Sequence, residues 1–346
     1  MLQITERTKI YINSPAHATS GGPELLHQLV HALNEENRDA YIVYYDDTTA
    51  PTPVEYRKYN LKIADHIEDK AENIVILGEL MVHQAQQFSN CQVVIWWLSV
   101  DFFFGPAKIH LSVRDHFKRG LSCGMENFFY KLTHNFFSNK NYFLNSTSYD
   151  KLNKSRLLHC YQSVYAQGFL LKNGFTEILP LSDYINTDFV NQGSTKPKEN
   201  KILFNPKKGF KFTKKLMKSA PHLNWVPLQN MNREQLLHEF ETSKLYIDFG
   251  HHPGKDRMPR EAAINGCCVI TNIKGAARFY EDVPIDRKYK LDESTHSITD
   301  IIEKIEDILN NYEERIQDFE FYKKRILTEK EIFLSQVKQI FIGNLN

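Results

Sequence analysis

Residues 245–277 read LYIDFGHHPGKDRMPREAAINGCCVITNIKGAA. The run 245–249 is apolar and short, which suits a strand. A polar loop with Gly250, Pro253 and Gly254 follows. Pro259 suits the first turn of a helix, where its missing N–H is not needed, and the helix is expected to run to about Asn265. Gly266 ends it, 267–271 (CCVIT) reads as a second buried strand, and a second glycine turn comes at Gly275. Strand, helix and strand, with strands that do not alternate apolar and polar, predict a parallel βαβ unit covered on both faces.

The alternation extends both ways. Before it stand strand 201–204 (KILF), helix 211–219, strand 224–227 and helix 233–242. The segment 191–200 (NQGSTKPKEN) has Gly, Pro and no apolar residue, and reads as an interdomain linker. Upstream of it lie strand 9–13 (KIYIN), a loop over 14–22, and a helix from Pro23 with Leu25, Leu26, Leu29, Val30 and Leu33 on one face. Strand 40–45 (AYIVYY) comes next. Further strands are expected at 74–77, 93–98 and 142–145, and a helix over 157–173 closed by Gly174.

After the quoted stretch, 313–342 reads as a long amphipathic helix or helix pair. Phe319, Ile326, Phe333 and Ile340 recur every seven residues, with Tyr322 and Val337 beside them. The whole predicts an α/β chain of two Rossmann-like domains facing a central cleft. The expected bounds are 1–190 and 191–312, with 313–346 a helix packing back onto the first domain.

Composition narrows the function. A length of 346 residues suits two domains. Forty-three Lys and Arg against 42 Asp and Glu leave a net charge of +1, so binding nucleic acid through bulk charge is not expected. Five cysteines, scattered and without CxxC spacing, suggest reduced thiols rather than a disulfide framework or a zinc site. The most apolar stretch, 93–104, is interrupted by Ser99 and Asp101 and is too short to span a bilayer. Residues 1–9 lack the apolar core of a signal peptide. The expectation is a cytoplasmic protein, at most peripheral at the inner face of the membrane.

Three motifs could carry chemistry. Ser20-Gly21-Gly22-Pro23-Glu24 lies between a strand and a helix, where glycines let the backbone approach an anion. It lacks GxGxxG, so a nicotinamide or flavin site is poorly supported even with Asp46 at the end of the second strand. Asn205-Pro206-Lys207-Lys208-Gly209 follows the first strand of the second half, where lysines can neutralise a diphosphate. Lys211, Lys214, Lys215 and Lys218 fit a solvated helix face. The third and densest motif is 248–277, in which a polar loop, Glu261 and the Gly275 turn meet at neighbouring strand ends. The pair His251 and His252 alone is a poor metal signature, because adjacent side chains diverge. Glu261 also fits a plain first-turn helix acid.

In this order the motifs resemble the GT-B glycosyltransferases, and within them the retaining, family-four-like group. Ser20-Gly21-Gly22 with its helix is similar to the start of their acceptor domain. Leu181-Ser182-Asp183-Tyr184 with Phe189 resembles their hinge segment, and Lys208-Gly209 the Lys-Gly after the first donor-domain strand. Arg260-Glu261-Ala262-Ala263 through Gly266, Val269-Ile270-Thr271 and Gly275 resembles the donor-site stretch. The chain departs from that pattern at Pro253, where the first of two glutamates would stand, and at Ala276, where a second glycine would. The arginine before the Lys-Gly is absent, with Arg257 or Lys255 as substitutes.

The resemblance implies transfer of a sugar from a nucleotide-diphosphate sugar to a glycan or lipid-linked acceptor in surface-polysaccharide assembly, with retention and without a metal or other cofactor. It places Glu261 on the ribose hydroxyls. Lys208, Arg257 and the N–H groups of Gly275, Ala276 and Ala277 would hold the diphosphate. His251, Pro253 and Gly254 would lie near the sugar, and Gly21 and Gly22 would close over the phosphates. Asp101 is the candidate for orienting or deprotonating the acceptor, with His110 and His116 as alternatives and a strand-end cap as its plain role. The basic and aromatic segment 114–137 is either core or a membrane face. A nucleotide-sugar epimerase, or a degenerate protein that binds a glycan or partner, shares the architecture.

Overall fold

A computed structural model describes residues 2–104, 157–190 and 196–342. The chain divides into two compact units. The first comprises Met1–Gln162, Ala166–Leu181 and Gln336–Asn346, and the second Ser163–Tyr165 and Ser182–Ser335.

The first unit is built on a seven-stranded sheet. Its strands are β1 (Lys9–Ser14), β2 (Asp39–Tyr44), β3 (Lys62–Ile63), β4 (Ile74–Gly78), β5 (Gln92–Trp97), β6 (Leu157–Tyr161) and β7 (Ile178–Pro180), in the order β3-β2-β1-β4-β5-β6-β7. Every pairing is parallel. Ile10, Ile12, Ile42, Ile74, Ile76, Val94 and Ile95 are all fully buried, which explains why these strands read as continuous apolar runs. Helix α1 (Gly21–Glu35) crosses from β1 to β2. Gly21 and Gly22 form its first turn, so the expected loop ends earlier, at Ser20.

The expected helix 157–173 is instead strand β6 followed by α2 (Val164–Lys172). Leu157–Tyr161 is a short apolar run whose period does not separate strand from helix. The ladder decides: His159 pairs with Ile95 and Ile178, and Cys160 with Trp96 and Leu179. Gly174, at φ 83°, ends α2 as expected. The expected strand 142–145, the segment 114–137, His110, His116 and linker residues 191–195 lie outside the described residues.

The second unit holds β8 (Glu199–Phe204), α3 (Phe210–Ser219), β9 (Asn224–Pro227), α4 (Arg233–Thr242), β10 (Ser243–Asp248), α5 (Arg257–Ile264), β11 (Cys268–Thr271), α6 (Ile298–Asn310) and the start of α7 (Glu320–Phe341). Its four strands are parallel in the order β11-β10-β8-β9. Ile202, Leu203, Leu245, Val269 and Ile270 line its core with Ile301, Ile305 and Ile308 of α6. Helix α6 had no counterpart among the expected elements. Its signals are a Ser297–Asp300 capping box and that isoleucine face. Ile185 and Phe189, expected with the first half, belong to this core.

The seven-residue stripe, Phe319 just before α7 and Ile326, Phe333 and Ile340 within it, is buried, and residues of α7 up to Ser335 belong with the second unit and later ones with the first. One turn of α7 supplies Glu329 to a buried ion cluster. Arg260 bonds both Asp183 and Glu329, the latter at 2.8 Å, and Lys255 Nζ stands 3.3 Å from Asp183 and 3.0 Å from Glu329. Burial disfavours the Arg260 charge, but the two carboxylates outweigh it and raise its pKa.

Candidate functional site

The order of the second sheet reverses between β8 and β10, because β9 lies on one side of β8 and β10 on the other. In open α/β sheets ligands bind beyond the carboxyl ends of strands at such a point. The loop after β8 carries Lys208, the loop after β10 carries 249–256, and the turn after β11 carries Gly275.

Glycines let these loops touch backbone to backbone. A Cβ on Gly209, whose φ is 61°, would lie 2.5 Å from the carbonyl carbon of Phe249 and 2.6 Å from Gly250 N. Gly275, at φ 62°, forms a bridge with His252, and a Cβ there would overlap His252 O. Only glycine tolerates this pairing of positive φ and close approach.

Four ionisable groups meet where the loops converge. Lys208 Nζ is 2.6 Å from Asp256 Oδ2. His252 Nδ1 is 2.7 Å from the same oxygen, and its Nε2 is 3.8 Å from Asp248 Oδ1. Asp248 also accepts hydrogen bonds from the Tyr246 hydroxyl at 3.1 Å and from Gly250 N at 2.8 Å. His252 is fully buried, and neither ring nitrogen finds an aligned hydrogen-bond partner, so its ties are electrostatic. Burial opposes its charge, yet Asp248 and Asp256 raise its pKa. Burial likewise opposes the Lys208 charge, and the same two carboxylates raise it. Asp256 shows the converse: burial would raise its carboxyl, but Lys208 and His252 hold it well below the usual range.

Asp248, His252 and Asp256 offer ligand atoms that all lie within 4.8 Å of one another, which is a metal-like donor set. Its fit is poor. The Lys208 ammonium already pairs with Asp256 at 2.6 Å, and a positive charge beside the three ligand atoms disfavours a second cation there.

Among the residues singled out from sequence, Lys208 reaches the switch point with its side chain 28% exposed. Arg257 opens α5, and its Nε is 3.7 Å from Glu261 Oε1. Glu261 is on α5 but only 1% exposed. His251 lies edge-on to Tyr165 at 6.3 Å, while Pro253 and Gly254 are buried in the loop. Two of the expected groups are engaged inside the molecule. Lys255 turns into the Asp183–Glu329 cluster, where the two carboxylates attract it alongside Arg260. The N–H of Ala276 is spent on His252 O at 2.8 Å, so it cannot cradle a phosphate. Ala277 is fully buried. Asp248, the last residue of β10, and Asp256, just before α5, were missed, since a single Asp at a strand end or before a helix carries no spacing signal.

The first sheet reverses between β1 and β4. Gly21 and Gly22 follow β1 and are partly exposed, and a Cβ on Gly22 would meet nothing nearer than Leu98 Cδ1 at 4.0 Å. Packing therefore does not require glycine at 22. Asp101 lies in the turn Val100–Phe104 and is 9% exposed. Just before that turn, Leu98 N donates to Glu79 Oε2 at 2.9 Å. Glu79 is buried, and burial pushes its carboxyl up to about 7.

No protein-family model matches the chain, and no curated protein matches it in sequence. Solved structures do match. Sucrose-phosphate synthase from Thermosynechococcus elongatus has a TM-score of 0.61 at 10% identity, covering 96% of this chain and 98% of that one. HepE from Anabaena, in complex with UDP-glucose, has a TM-score of 0.57 at 8% identity, covering 96% and 98%. TarM has a TM-score of 0.52 at 14% identity over 80% of this chain, which spans 56% of TarM's length. The fold is GT-B, with two Rossmann-like domains.

Proposed function

We propose that the chain is a glycosyltransferase of the retaining, family-four-like kind. It takes a sugar from a nucleoside-diphosphate sugar and passes it to a glycan or lipid-linked acceptor. The observation that carries this is Lys208 at the switch point of the second sheet, in a fold shared with HepE bound to UDP-glucose. Lys208 and Arg257 hold the diphosphate. As the bond to the sugar breaks, negative charge grows on the leaving phosphate, and these cations stabilise it. Glu261, shielded from bulk water, accepts bonds from the ribose hydroxyls, and its burial strengthens them. His251, Pro253 and Gly254 border the sugar. The Lys208 ammonium paired with Asp256 supports metal-independent transfer.

On the first unit, the loop after β5 with Asp101 is the acceptor side, and Gly21 and Gly22 leave the start of α1 open to a ligand. Among the described residues no helix is long and apolar enough to cross a membrane. We place the enzyme in the cytoplasm, in surface-polysaccharide assembly, with peripheral membrane contact.

Titration calorimetry with UDP, GDP, ADP and TDP tests the donor site. One should bind, and Lys208→Ala should weaken it about 10- to 100-fold, the worth of a charge-assisted bond. Equal binding by both proteins would remove Lys208 from the site.

A further inference from the structure

We propose that Asp256 is a stand-in for the donor's diphosphate, holding Lys208 until the nucleotide displaces it and then capping α5. This rests on the assignment of Lys208 to the diphosphate. Asp256 occupies the N-cap position of α5, with extended backbone (φ −69°, ψ 142°), yet its side chain makes no cap bond. An Asp at that position normally accepts from the helix's first N–H groups. Here its carboxylate is turned instead onto Lys208, 2.6 Å away, and His252, 2.7 Å away. The cap bond it forgoes is a defined one. Pro259 in the third helical position has no N–H, which leaves Met258 N–H as its natural partner.

A diphosphate arriving at Lys208 competes with Asp256 for the same ammonium. Two anions repel each other there, so the carboxylate must yield. Its own backbone already places it to cap α5, the helix that carries Arg257 and Glu261. His252 stays beside Asp248, its Nε2 3.8 Å from Oδ1. The swap would couple arrival of the phosphates to firming of the helix that takes the ribose, and it would set donor affinity below what Lys208 alone could give. Asp256 is thus a positioning residue, acting through Lys208 and α5.

The sign of one substitution tests this. Asp256→Asn keeps a strong N-cap residue but removes the competing charge, and Asp256→Ser does the same with a smaller side chain. Calorimetry would use the tightest-binding of UDP, GDP, ADP and TDP. Both variants should bind it about tenfold more tightly than the wild type. The gain should vanish when Lys208→Ala is added, and the uncharged nucleoside should show no gain. If Asp256 merely holds the loop together, both variants bind more weakly, and that result overturns the proposal, as does unchanged affinity. Loss of binding in Lys208→Ala without a gain in the Asp256 variants sinks this inference alone. No effect of Lys208→Ala sinks the donor assignment as well.

Discussion

Lys208 and Asp256 form a 2.6 Å ion pair across the point where the order of the second sheet reverses. The two residues lie 48 positions apart, one after β8 and the other at the start of α5. They meet because β8 and β10 are neighbours and because Gly209 lets the loop after β8 rest on Phe249 and Gly250. The pair puts a cation beyond the carboxyl ends of the strands at the switch point, where open α/β sheets bind ligands.

Glu261→Gln should reduce nucleoside-diphosphate affinity about tenfold, the difference between a charged and a neutral acceptor for two hydroxyls. A 2′,3′-dideoxy analogue should bind variant and wild type equally. Calorimetry with both ligands measures this, and an equal loss for both would take Glu261 off the ribose.

Gly275→Ala and Gly22→Ala should part company. At Gly275 the φ of 62° and the overlap with His252 O make any side chain cost about 2–4 kcal/mol of stability. At Gly22 a methyl group has room, and alanine in a helical turn should leave the melting temperature unchanged or raise stability by about 0.5 kcal/mol. Sugar transfer should nevertheless fall in Gly22→Ala if a ligand approaches that backbone. Thermal melts paired with a transfer assay separate the two effects.

Glu79 should make stability fall as pH rises. Burial pushes its carboxyl from 4.5 to about 7 in the folded chain, more than the N–H groups of Leu98 and its neighbours pull it down. Between those values the folded state holds a proton that the unfolded state has lost, so folding weakens as pH climbs through that window. The loss at pH 8 is about 3 kcal/mol at most. Glu79→Gln keeps an acceptor for Leu98 N and carries no charge. Urea midpoints should show the variant ahead of the wild type at pH 8, with the gap closing by pH 4. A gap independent of pH would mean that Glu79 is not buried as a charge.

Arg260→Met should destabilise the second unit by about 3–5 kcal/mol, because among the described residues Asp183 and Glu329 would keep only the ion pairs with Lys255 in a buried setting. Denaturant midpoints report this directly. Asp183→Asn added to Arg260→Met should recover part of the loss, since one uncompensated charge goes with it.

Much of the architecture was legible because parallel strands buried on both faces are marked by unbroken runs such as IVIL at 74–77 and CCVIT at 267–271. Such runs need no partner to be recognised. The segment 157–161 was misread for the same reason: a short apolar run is ambiguous until a neighbour pairs with it, and β5 and β7 supply the pairing. Helix α6 could have been found from its capping box and isoleucine spacing.

The candidate site divides along the same line. Local chemistry alone marked Lys208, Gly209, Glu261 and Gly275, since a glycine turn after a strand and an acid early in a helix are written in neighbouring residues. Whether a charge is spent inside the molecule or left for a ligand depends on partners far away in the chain. Lys255 is taken by Asp183 and Glu329, Ala276 N–H by His252, and Lys208 is shared with Asp256. Electrostatic pairing acts through space over a few ångströms, and only the folded chain sets which groups come that close.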